Sequence, residues 1–308
     1  MNYKLNDKEN FTWFLTGLTD GDGGFSVGII KSTNSIGWSV RLLYTITAEN
    51  NKANKIMLEK INLFFNNIGR IIIDNSSNVL RLEIHGLNNC LIIREHFLKY
   101  PLFTYKLVYF KLWCLIIDLM LAKKHLTWEG LLQIIAYKSH FPKGLSNLLI
   151  NSFPNYEPVI LPDYTPNLTV INIFWIAGFI NSDGGFTLYV CKKETQSLGE
   201  TCIPSVHISQ NIKSKIVLEQ IKTFFGFGQI YNRPDQTCDY KISSLTNINN
   251  FIANFKEAQL LGAKALDYLE FCLGIEIINK KEHLTKKGLN NLKFLSSQMN
   301  YKRTNFDI

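Results

Sequence analysis

The sequence lacks paired cysteines, long uncharged apolar runs and evenly spread prolines. Its six cysteines form no Cys-x-x-Cys pair and have no metal-like spacing with the histidines, which argues against a disulfide framework and a structural zinc site. The longest apolar run, residues 107–122, is interrupted by Lys111 and Asp118 and is too short to span a membrane. We therefore expect a soluble protein with reduced thiols and no membrane partner.

Acidic residues are fewer than basic ones. The chain has 25 Asp and Glu against 33 Lys and Arg, which gives a net charge of +8 and agrees weakly with an anionic partner such as nucleic acid. At 308 residues and 46% hydrophobic content it is long enough for two domains, each with its own core.

One motif occurs twice, at residues 13–25 and 174–186. Each copy is an apolar stretch that contains a small residue and ends in an aspartate followed by two glycines, which predicts a helix that stops at a sharp turn. Asp22 and Asp183 therefore occupy matched positions at two helix ends.

The two halves continue to match beyond this motif. Residues 55–61 match 215–221, and the His-Leu-Thr segment at 124–131 matches 282–289, so the chain contains an internal duplication. Five of the eight prolines fall within 141–169. We predict an N-terminal half at 1–140, a linker at 141–169 and a C-terminal half at 170–308.

Periodicity predicts the same order of elements in both halves, namely helix, two strands, helix, two strands and further helices. This order defines a duplicated α+β architecture. In the first half the strands are predicted at 25–31, 38–47, 70–74 and 79–84, with a helix at 52–65. In the second half the strands are predicted at 186–193, 202–209, 229–233 and 240–244, with a helix at 213–225.

Several kinds of site contain such glycine-rich turns. An EF-hand is excluded because its twelfth positions are Lys31 and Lys192, and a phosphate-binding loop is excluded because the glycines follow the helix. A plain helix cap without chemistry remains possible. The duplication favours a pair of carboxylates, brought together if the helices pack closely at Gly17 and Gly178. Such a pair suits Mg²⁺ and metal-assisted phosphodiester hydrolysis.

Residues 15–23 and 176–184 resemble two copies of the LAGLIDADG signature. The chain resembles a single-chain, two-motif LAGLIDADG homing endonuclease of the fungal mitochondrial, intron-encoded type. The resemblance implies two pseudo-symmetric α-β-β-α-β-β-α halves, joined at two packed signature helices, each with a curved four-stranded antiparallel sheet that binds DNA. Together with an Asn-, Ile- and Lys-rich composition typical of A+T-rich genomes, it implies a mitochondrial location.

The resemblance also implies the catalytic set. Asp22 and Asp183 would bind catalytic metal, together with Gly21 and Ser182. Lys106 and Lys264 would stabilise charge near the scissile phosphates. Asn50 and Gln210 would contact metal-bound water. Asp20 is interpreted as a cap, and its counterpart Asn181 departs from the acidic pattern. Mg²⁺ is the expected cofactor, with Mn²⁺ as a substitute and Ca²⁺ supporting binding with little turnover.

Strand alternation separates core positions from the positions expected to face DNA. The DNA-facing set in the first half is Gly24, Ser26, Gly28, Ile30, Ser32, Arg41, Thr45, Thr47, Arg70 and Asp74. The corresponding set in the second half is Gly185, Thr187, Tyr189, Cys191, Lys193, Ser205, His207, Gln229, Tyr231 and Arg233. Alternation leaves the orientation of Arg81 and Lys241 open. Because the two sets differ, the expected target is a long, non-palindromic duplex bound by a monomer.

The expected activity is hydrolysis of one phosphodiester in each strand by metal-activated water, which leaves short 3′ overhangs. Two other functions remain open at this point. A maturase would use the same fold to bind intron RNA, and a non-catalytic DNA-binding protein would keep the acids as structural caps.

Overall fold

The computed structural model describes residues 7–306, which contain eight β-strands and eleven α-helices. The helices are α1 (Lys8–Asp22), α2 (Lys52–Phe64), α3 (Leu87–Lys99), α4 (Lys106–Leu121), α5 (Trp128–Lys138), α6 (Asn147–Ser152), α7 (Ile173–Asp183), α8 (Lys215–Phe225), α9 (Leu245–Asn254), α10 (Gly262–Asn279) and α11 (Lys286–Ser297). The strands are β1 (Gly23–Lys31), β2 (Trp38–Glu49), β3 (Arg70–Asp74), β4 (Val79–His85), β5 (Gly184–Lys192), β6 (Glu200–Asn211), β7 (Gln229–Asn232) and β8 (Thr237–Ile242). The predicted α+β class and the duplicated order of elements are confirmed.

The strands form two four-stranded sheets with the same topology. Their strand orders are β1-β2-β4-β3 and β5-β6-β8-β7. Within each sheet the first strand pairs antiparallel with the second, so that Gly24 lies opposite Thr45 and Gly185 lies opposite His207. The repeated sequence therefore gives a repeated sheet, with the first strand at an edge.

The chain divides into two compact units. Unit 1 contains the described residues up to Asp22, residues Ala48–Lys60 and the chain from Leu168 onward. Unit 2 contains Gly23–Thr47 and Ile61–Asn167. Both helices that carry the duplicated motif, α1 and α7, thus belong to unit 1. No helix in the described part of the chain is long and apolar enough to cross a membrane.

A matched aromatic cluster fills the core under the first strand of each sheet. In unit 2 the Phe25 ring lies 5.1 Å from the Phe110 ring and 5.2 Å from Trp113. In unit 1 the Phe186 ring lies 5.1 Å from Tyr268 and 5.4 Å from Phe271. Each cluster packs the start of a strand against the long helix that carries the predicted lysine. Each cluster thereby fixes the position of the strand that begins directly after the motif aspartate.

The repeated His-Leu-Thr segments form helix N-caps. The Thr127 side chain accepts a hydrogen bond from Gly130 N at 3.1 Å, and Thr285 accepts one from Gly288 N at the same distance. Each threonine begins a helix, α5 or α11, by satisfying an otherwise unpaired backbone amide. This part of the duplication therefore has a structural role.

The proline-rich segment after α5 packs against the rest of unit 2. Residues 153–167 have no regular secondary structure, yet the buried Phe153 ring lies 5.1 Å from Trp38 and 5.3 Å from Trp128. The Tyr164 hydroxyl also donates to the Phe103 carbonyl at 2.7 Å. The later part of the predicted linker is therefore an irregular chain held by a few large side chains.

Candidate active site

The helices α1 and α7 touch backbone to backbone at two glycines. A Cβ on Gly17 would lie 2.0 Å from the Trp175 carbonyl oxygen, and a Cβ on Gly178 would lie 1.8 Å from the Phe14 carbonyl oxygen. The two contacts are equivalent within the duplicated motif, because Phe14 and Trp175 each stand three residues before their glycine. Only glycine leaves room for this approach. The predicted close packing of the motif helices is confirmed.

Each motif helix ends at its aspartate and continues directly into a strand. The predicted sharp turn is wrong, because Gly184 has φ −87° and ψ 161°, an extended conformation that does not require glycine. Gly184 is needed for space instead, since a Cβ there would lie 2.7 Å from the Ile180 carbonyl oxygen. Asp22 and Asp183 are consequently the last helical residues before β1 and β5.

The ends of α1 and α7 also approach each other closely. A Cβ on Gly21 would lie 2.0 Å from the Ser182 hydroxyl oxygen and 3.0 Å from the Asp183 carboxyl carbon. Asp183 accepts a hydrogen bond from the Gln210 side-chain amide at the end of β6. The structure thus brings four predicted site residues, Gly21, Ser182, Asp183 and Gln210, into one cluster.

Lys264 joins this cluster from the first turn of α10. Its ammonium group donates to the Gly184 carbonyl at 2.6 Å. Burial lowers the pKa of Lys264, whereas the negative charges of Asp267, Asp22 and Asp183 act to raise it. Both motif aspartates therefore lie within electrostatic range of the ammonium group of the same half-buried lysine.

Lys106 makes the equivalent bond in unit 2. Its ammonium group donates to the carbonyl of Gly23, the residue that follows Asp22. Lys106 also begins α4, as Lys264 stands near the start of α10. The two predicted lysines thus bind the same backbone position of their own repeat. Asn50 lies in the bend between β2 and α2, where it is half-buried.

Asp20 and its counterpart Asn181 both lie inside their helices. The interpretation of Asp20 as a cap is wrong, because its side chain is 3% exposed and accepts a hydrogen bond from Trp175 Nε1 at 3.0 Å. The Asn181 side chain accepts a hydrogen bond from Leu261 N at 2.8 Å. One residue thereby ties α1 to α7, and the other ties α7 to the start of α10.

Asn54 is a site-supporting residue that the sequence pattern did not reveal. Its side-chain oxygen accepts from Ala263 N at 2.9 Å, and its amide donates to the Glu49 carbonyl at 3.1 Å. Ala263 directly precedes Lys264. Together with Asn181, Asn54 satisfies the amides at the N-terminus of α10, whose cap residue supplies no side-chain bond. The bonding residues stand 209 positions apart, so no local motif signals them.

Alternation in β1 and β2 follows the prediction, whereas β3 does not alternate regularly, since Ile73 is 55% exposed. Phe25, Val27 and Ile29 are buried, whereas Ser26 and Ile30 on the opposite face of β1 are exposed. The predicted outward residues of β2 and β3 are half-buried or exposed, namely Arg41, Thr45, Thr47, Arg70 and Asp74. Gly24 and Gly28 share the outward face of β1, and Ser32 lies just past its end.

Two predicted outward positions of unit 1 are covered. Gly185 is buried because the His207 ring lies over it, so that a Cβ would approach the ring to 2.3 Å, and Ser205 is 8% exposed. Burial lowers the pKa of His207, and the charge of Lys264 lowers it further. The other predicted positions are half-buried or exposed: Thr187, Tyr189, Cys191, Lys193, Gln229, Tyr231 and Arg233.

The structure shows the orientation of Arg81 and Lys241, which strand alternation left open. Arg81 lies on the face of β4 opposite Leu80 and Leu82, where it forms an ion pair with Asp74. Lys241 alternates with buried Tyr240 and Ile242 and is exposed.

In unit 1 an equivalent ion pair joins Arg233 to Asp239, which also accepts from the Ser209 hydroxyl at 2.6 Å. The sequence did not indicate a role for Asp239 or Ser209, because both lie within strands and belong to no motif.

The cluster fits a hard divalent cation. Among residues 7–306 no group of three or more His, Cys, Asp and Glu side chains forms a metal cage. Two carboxylates at adjoining helix ends, Asp22 and Asp183, match the few protein ligands that Mg²⁺ uses when water and phosphate oxygens complete its shell. The donor chemistry therefore suits an ion shared with a phosphate ligand.

A family model described as LAGLIDADG endonuclease matches residues 15–117 and 176–277. The chain belongs to the LAGLIDADG endonuclease family. The match covers the C-terminal part of both motif helices, both sheets and most of the helices α4 and α10 that carry Lys106 and Lys264.

Curated relatives of this LAGLIDADG chain are named as intron-encoded endonucleases. "Probable intron-encoded endonuclease 2" of Neurospora crassa is 34% identical over 297 residues, which are 91% of this chain and 63% of the relative. "Probable intron-encoded DNA endonuclease 1" of Mycosarcoma maydis is 25% identical, over 80% of this chain and 93% of the relative. The chain spans 63% and 53% of the two Neurospora crassa relatives that it matches.

Solved LAGLIDADG structures share the whole fold. The homing endonuclease I-LtrWI, bound to target DNA, superposes with a TM-score of 0.91 at 30% identity and covers 97% of this chain and 100% of its own. I-SmaMI, bound to an uncleaved DNA target in the presence of calcium ions, gives 0.87 at 29% identity, with coverages of 94% and 98%. This agreement confirms the predicted two-repeat LAGLIDADG fold.

Proposed function

We propose that this chain is a site-specific, metal-dependent DNA endonuclease that cuts both strands of a long asymmetric duplex. The proposal rests on one observation above all. Two glycine contacts bring the motif helices together, and the charges of Asp22 and Asp183 at their ends both act on the half-buried Lys264. The DNA-bound states of I-LtrWI and I-SmaMI support DNA as the partner.

Asp22 and Asp183 would hold divalent metal, with Mg²⁺ as the physiological ion. The backbone at Gly21 and Ser182 would supply further ligands to the metal. Gln210 would keep the Asp183 carboxylate oriented through its hydrogen bond. When bound, the ion supplies Lewis-acid activation of water and neutralises charge on the phosphate. I-SmaMI was solved with an uncleaved DNA target in the presence of calcium ions. That structure supports Ca²⁺ as an ion that permits DNA binding by this chain.

The remaining polar residues would serve the scissile phosphates. Lys106 and Lys264 would stabilise negative charge as it develops at the phosphates, because each ammonium group lies beside the residue that follows a motif aspartate. Asn50 and Gln210 would orient water near the metal. Hydrolysis of one phosphodiester per strand would leave short 3′ overhangs.

The outward strand faces would read the target. A β-sheet places alternate side chains in the major groove, where Arg41, Gln229 and Arg233 can bind base edges while lysines such as Lys241 bind phosphates. The two sets of outward residues differ in type, so a monomer would recognise a non-palindromic sequence. The names of the relatives support an intron as the genetic context, and we place it in a fungal mitochondrial genome.

The experiment selects cleavable sites from a randomised duplex library and then tests the selected site in a plasmid. With Mg²⁺ we expect linear plasmid with 3′ overhangs. With Ca²⁺ in place of Mg²⁺ we expect a bound but largely intact plasmid, and with a chelator no linear product. Binding without linear product under Mg²⁺ would contradict the endonuclease and favour a DNA-binding protein. Stimulation of splicing of a host intron without DNA cleavage would favour a maturase.

A further inference from the structure

The last described turn of the chain returns to the candidate active site. After α11 the chain forms a short 3₁₀ turn at Asn300–Lys302. This turn lies beyond residue 277, where the second match of the family model ends. We call residues 299–303 the C-terminal clasp. Met299 anchors its start, since only 1% of this residue is exposed.

The clasp is tied to the helix that carries Lys264. Asp267, one turn further along α10, is 4% exposed and accepts from Asn300 N at 2.9 Å and from the Arg303 guanidinium at 3.1 and 3.2 Å. The side chains of Asp267 and Arg303 are each only 6% exposed. Asn300 also donates to the Phe186 carbonyl of β5 at 3.0 Å. Breaking a buried pair of this kind is costly, so the clasp is fixed in position.

Two cavities adjoin the C-terminal clasp, and Tyr301 lines both. One, of about 480 Å³, is lined by Gly185, His207, Lys264, Tyr301 and Lys302 among others. The other, of about 310 Å³, is lined by Asp22, Ser182, Lys264 and Tyr301 among others. The predicted metal ligands and the predicted DNA-facing strand therefore adjoin the clasp directly.

The two residues at the tip of the clasp are held out from the protein. Tyr301 is 88% exposed although its neighbour Met299 is buried, and Lys302 is exposed as well. An exposed aromatic ring beside a lysine, on a backbone held in place, suits a sugar–phosphate backbone, because the ring can pack on the deoxyribose and the ammonium group neutralises a phosphate.

We infer that Tyr301 and Lys302 bind the DNA backbone beside the phosphate served by Asp183 and Lys264. The inference rests on the proposed endonuclease function and adds a contact outside the sheet and the motif helices. The Asp267–Arg303 ion pair holds this contact in place, and the exposed ring and ammonium group supply the affinity.

In the described residues of the first repeat, the Asp267–Arg303 ion pair has no counterpart. Tyr109 occupies the position of Asp267, three residues after Lys106, and its ring stacks on Phe141 at 6.0 Å. Phe141 matches Met299 in the duplication, and Pro142 stands where Asn300 donates two hydrogen bonds. The contact is thus specific to the second repeat and would protect the backbone near one of the two cleaved bonds.

The test compares Tyr301→Ala/Lys302→Ala with the parental protein and with a matched control, Phe294→Ala/Lys287→Ala. The control removes an exposed aromatic ring, Phe294 at 64% exposure, and an exposed lysine from α11 without altering the clasp. Binding to the selected duplex is measured in Ca²⁺ over a range of salt concentrations, and hydroxyl-radical footprinting records which sugars are protected. Thermal unfolding verifies that each variant is folded.

We expect the clasp variant to bind about tenfold more weakly. Its slope of log K against log salt should be smaller by about 0.9, the value for one lost phosphate contact. Protection should disappear beside one cleaved bond and persist beside the other, while the control stays parental. Parental affinity, slope and footprint in the clasp variant would overturn the inference while leaving the endonuclease intact. Failure of the parental protein to bind any selected duplex would overturn both.

A second variant separates the anchor from the contact. Arg303→Gln keeps Tyr301 and Lys302 but removes the cation that pairs with Asp267. We expect the same one-sided loss of footprint as in the clasp variant. A parental footprint in Arg303→Gln would show that the ion pair does not position the contact.

Discussion

The two repeats build the same lysine contact and then surround it differently. Lys106 binds the Gly23 carbonyl and Lys264 binds the Gly184 carbonyl, so each lysine marks the residue after a motif aspartate. Three residues later in the helix, the first repeat has Tyr109 stacked on Phe141, whereas the second has Asp267 in a buried ion pair.

The comparison shows which positions of the duplication accept a different residue type without a change in structure. The aromatic clusters around Phe25 and Phe186 use different residues at the same places, Trp113 in one and Phe271 in the other, because packing requires only volume. Polar contacts have diverged further, as Asp20 and Asn181 bind different partners. A polar group must find a specific partner, so each change in one repeat is matched by its own neighbours.

A large effect is expected for the two lysines, which make the same contact in each repeat. Lys264→Met and Lys106→Met should each reduce the cleavage rate by about 10²- to 10³-fold, since each removes a donor near developing charge. The two losses should be of similar size, because both lysines are half-buried and each donates to the residue that follows a motif aspartate. Single-turnover cleavage of the selected duplex measures this, with the exposed Lys280→Met as control. Parental rates in both lysine variants would contradict the proposed charge stabilisation.

The next effect tests whether the two glycine contacts are equivalent. Gly17→Ala and Gly178→Ala should each lower the free energy of unfolding by about 3 kcal/mol, despite a gain of about 1 kcal/mol in helix propensity. The reason is a backbone oxygen within 2.0 Å of the new Cβ in both cases. Denaturant unfolding compares them with Gly28→Ala, whose Cβ would stand 3.6 Å from its nearest neighbour. A stable Gly178→Ala would refute the close packing.

A smaller effect concerns the support of Lys264 by Asn54. Asn54→Ala should lower the free energy of unfolding by about 1 to 2 kcal/mol, because Ala263 N loses its partner at the start of α10. It should also slow cleavage without weakening DNA binding, since the change displaces Lys264 and leaves the strands intact. Denaturant unfolding, binding and single-turnover rates measure this against the exposed Asn290→Ala. Unchanged cleavage would show that Lys264 does not depend on Asn54.

The smallest effect separates the repeats by their acid sensitivity. Burial lowers the pKa of His96 from 6.5 to about 3, and Asn254 holds the matching place in the second repeat, nine residues after the helix start. Between these pH values the unfolded state binds more protons than the folded state, so stability falls as pH falls.

His96→Phe should therefore flatten the decline of the melting temperature from pH 6.5 toward pH 3. His85→Asn, which changes an exposed histidine, serves as control. An unchanged pH dependence in His96→Phe would assign the acid sensitivity to other groups.

Sequence reasoning predicted those features that a short pattern encodes. Alternation placed Phe25 and Val27 in the core, and the repeated motif located the packing at Gly17 and Gly178. It misjudged Gly184, because a glycine that provides space looks the same in sequence as one that provides a turn.

The remaining features depend on residues far apart in the chain. The bonds of Asn54 to Ala263 and of Asp267 to Arg303 join segments that no periodicity links. A polar residue inside a helix or strand gives no local sign of its partner, so such supports emerge only when the fold is known. The sequence therefore located the motif aspartates at the helix ends more readily than the contacts that hold those helices in place.

The most direct test of the account measures linearisation of the selected plasmid in Mg²⁺ by Asp22→Asn and Asp183→Asn. The control is Asp163→Asn, an exposed acid in the segment between the repeats. Each motif variant should lose about a thousandfold or more in double-strand cleavage while remaining folded and bound to DNA in Ca²⁺. Linear product at the parental rate from either motif variant would contradict a shared metal site at the ends of α1 and α7.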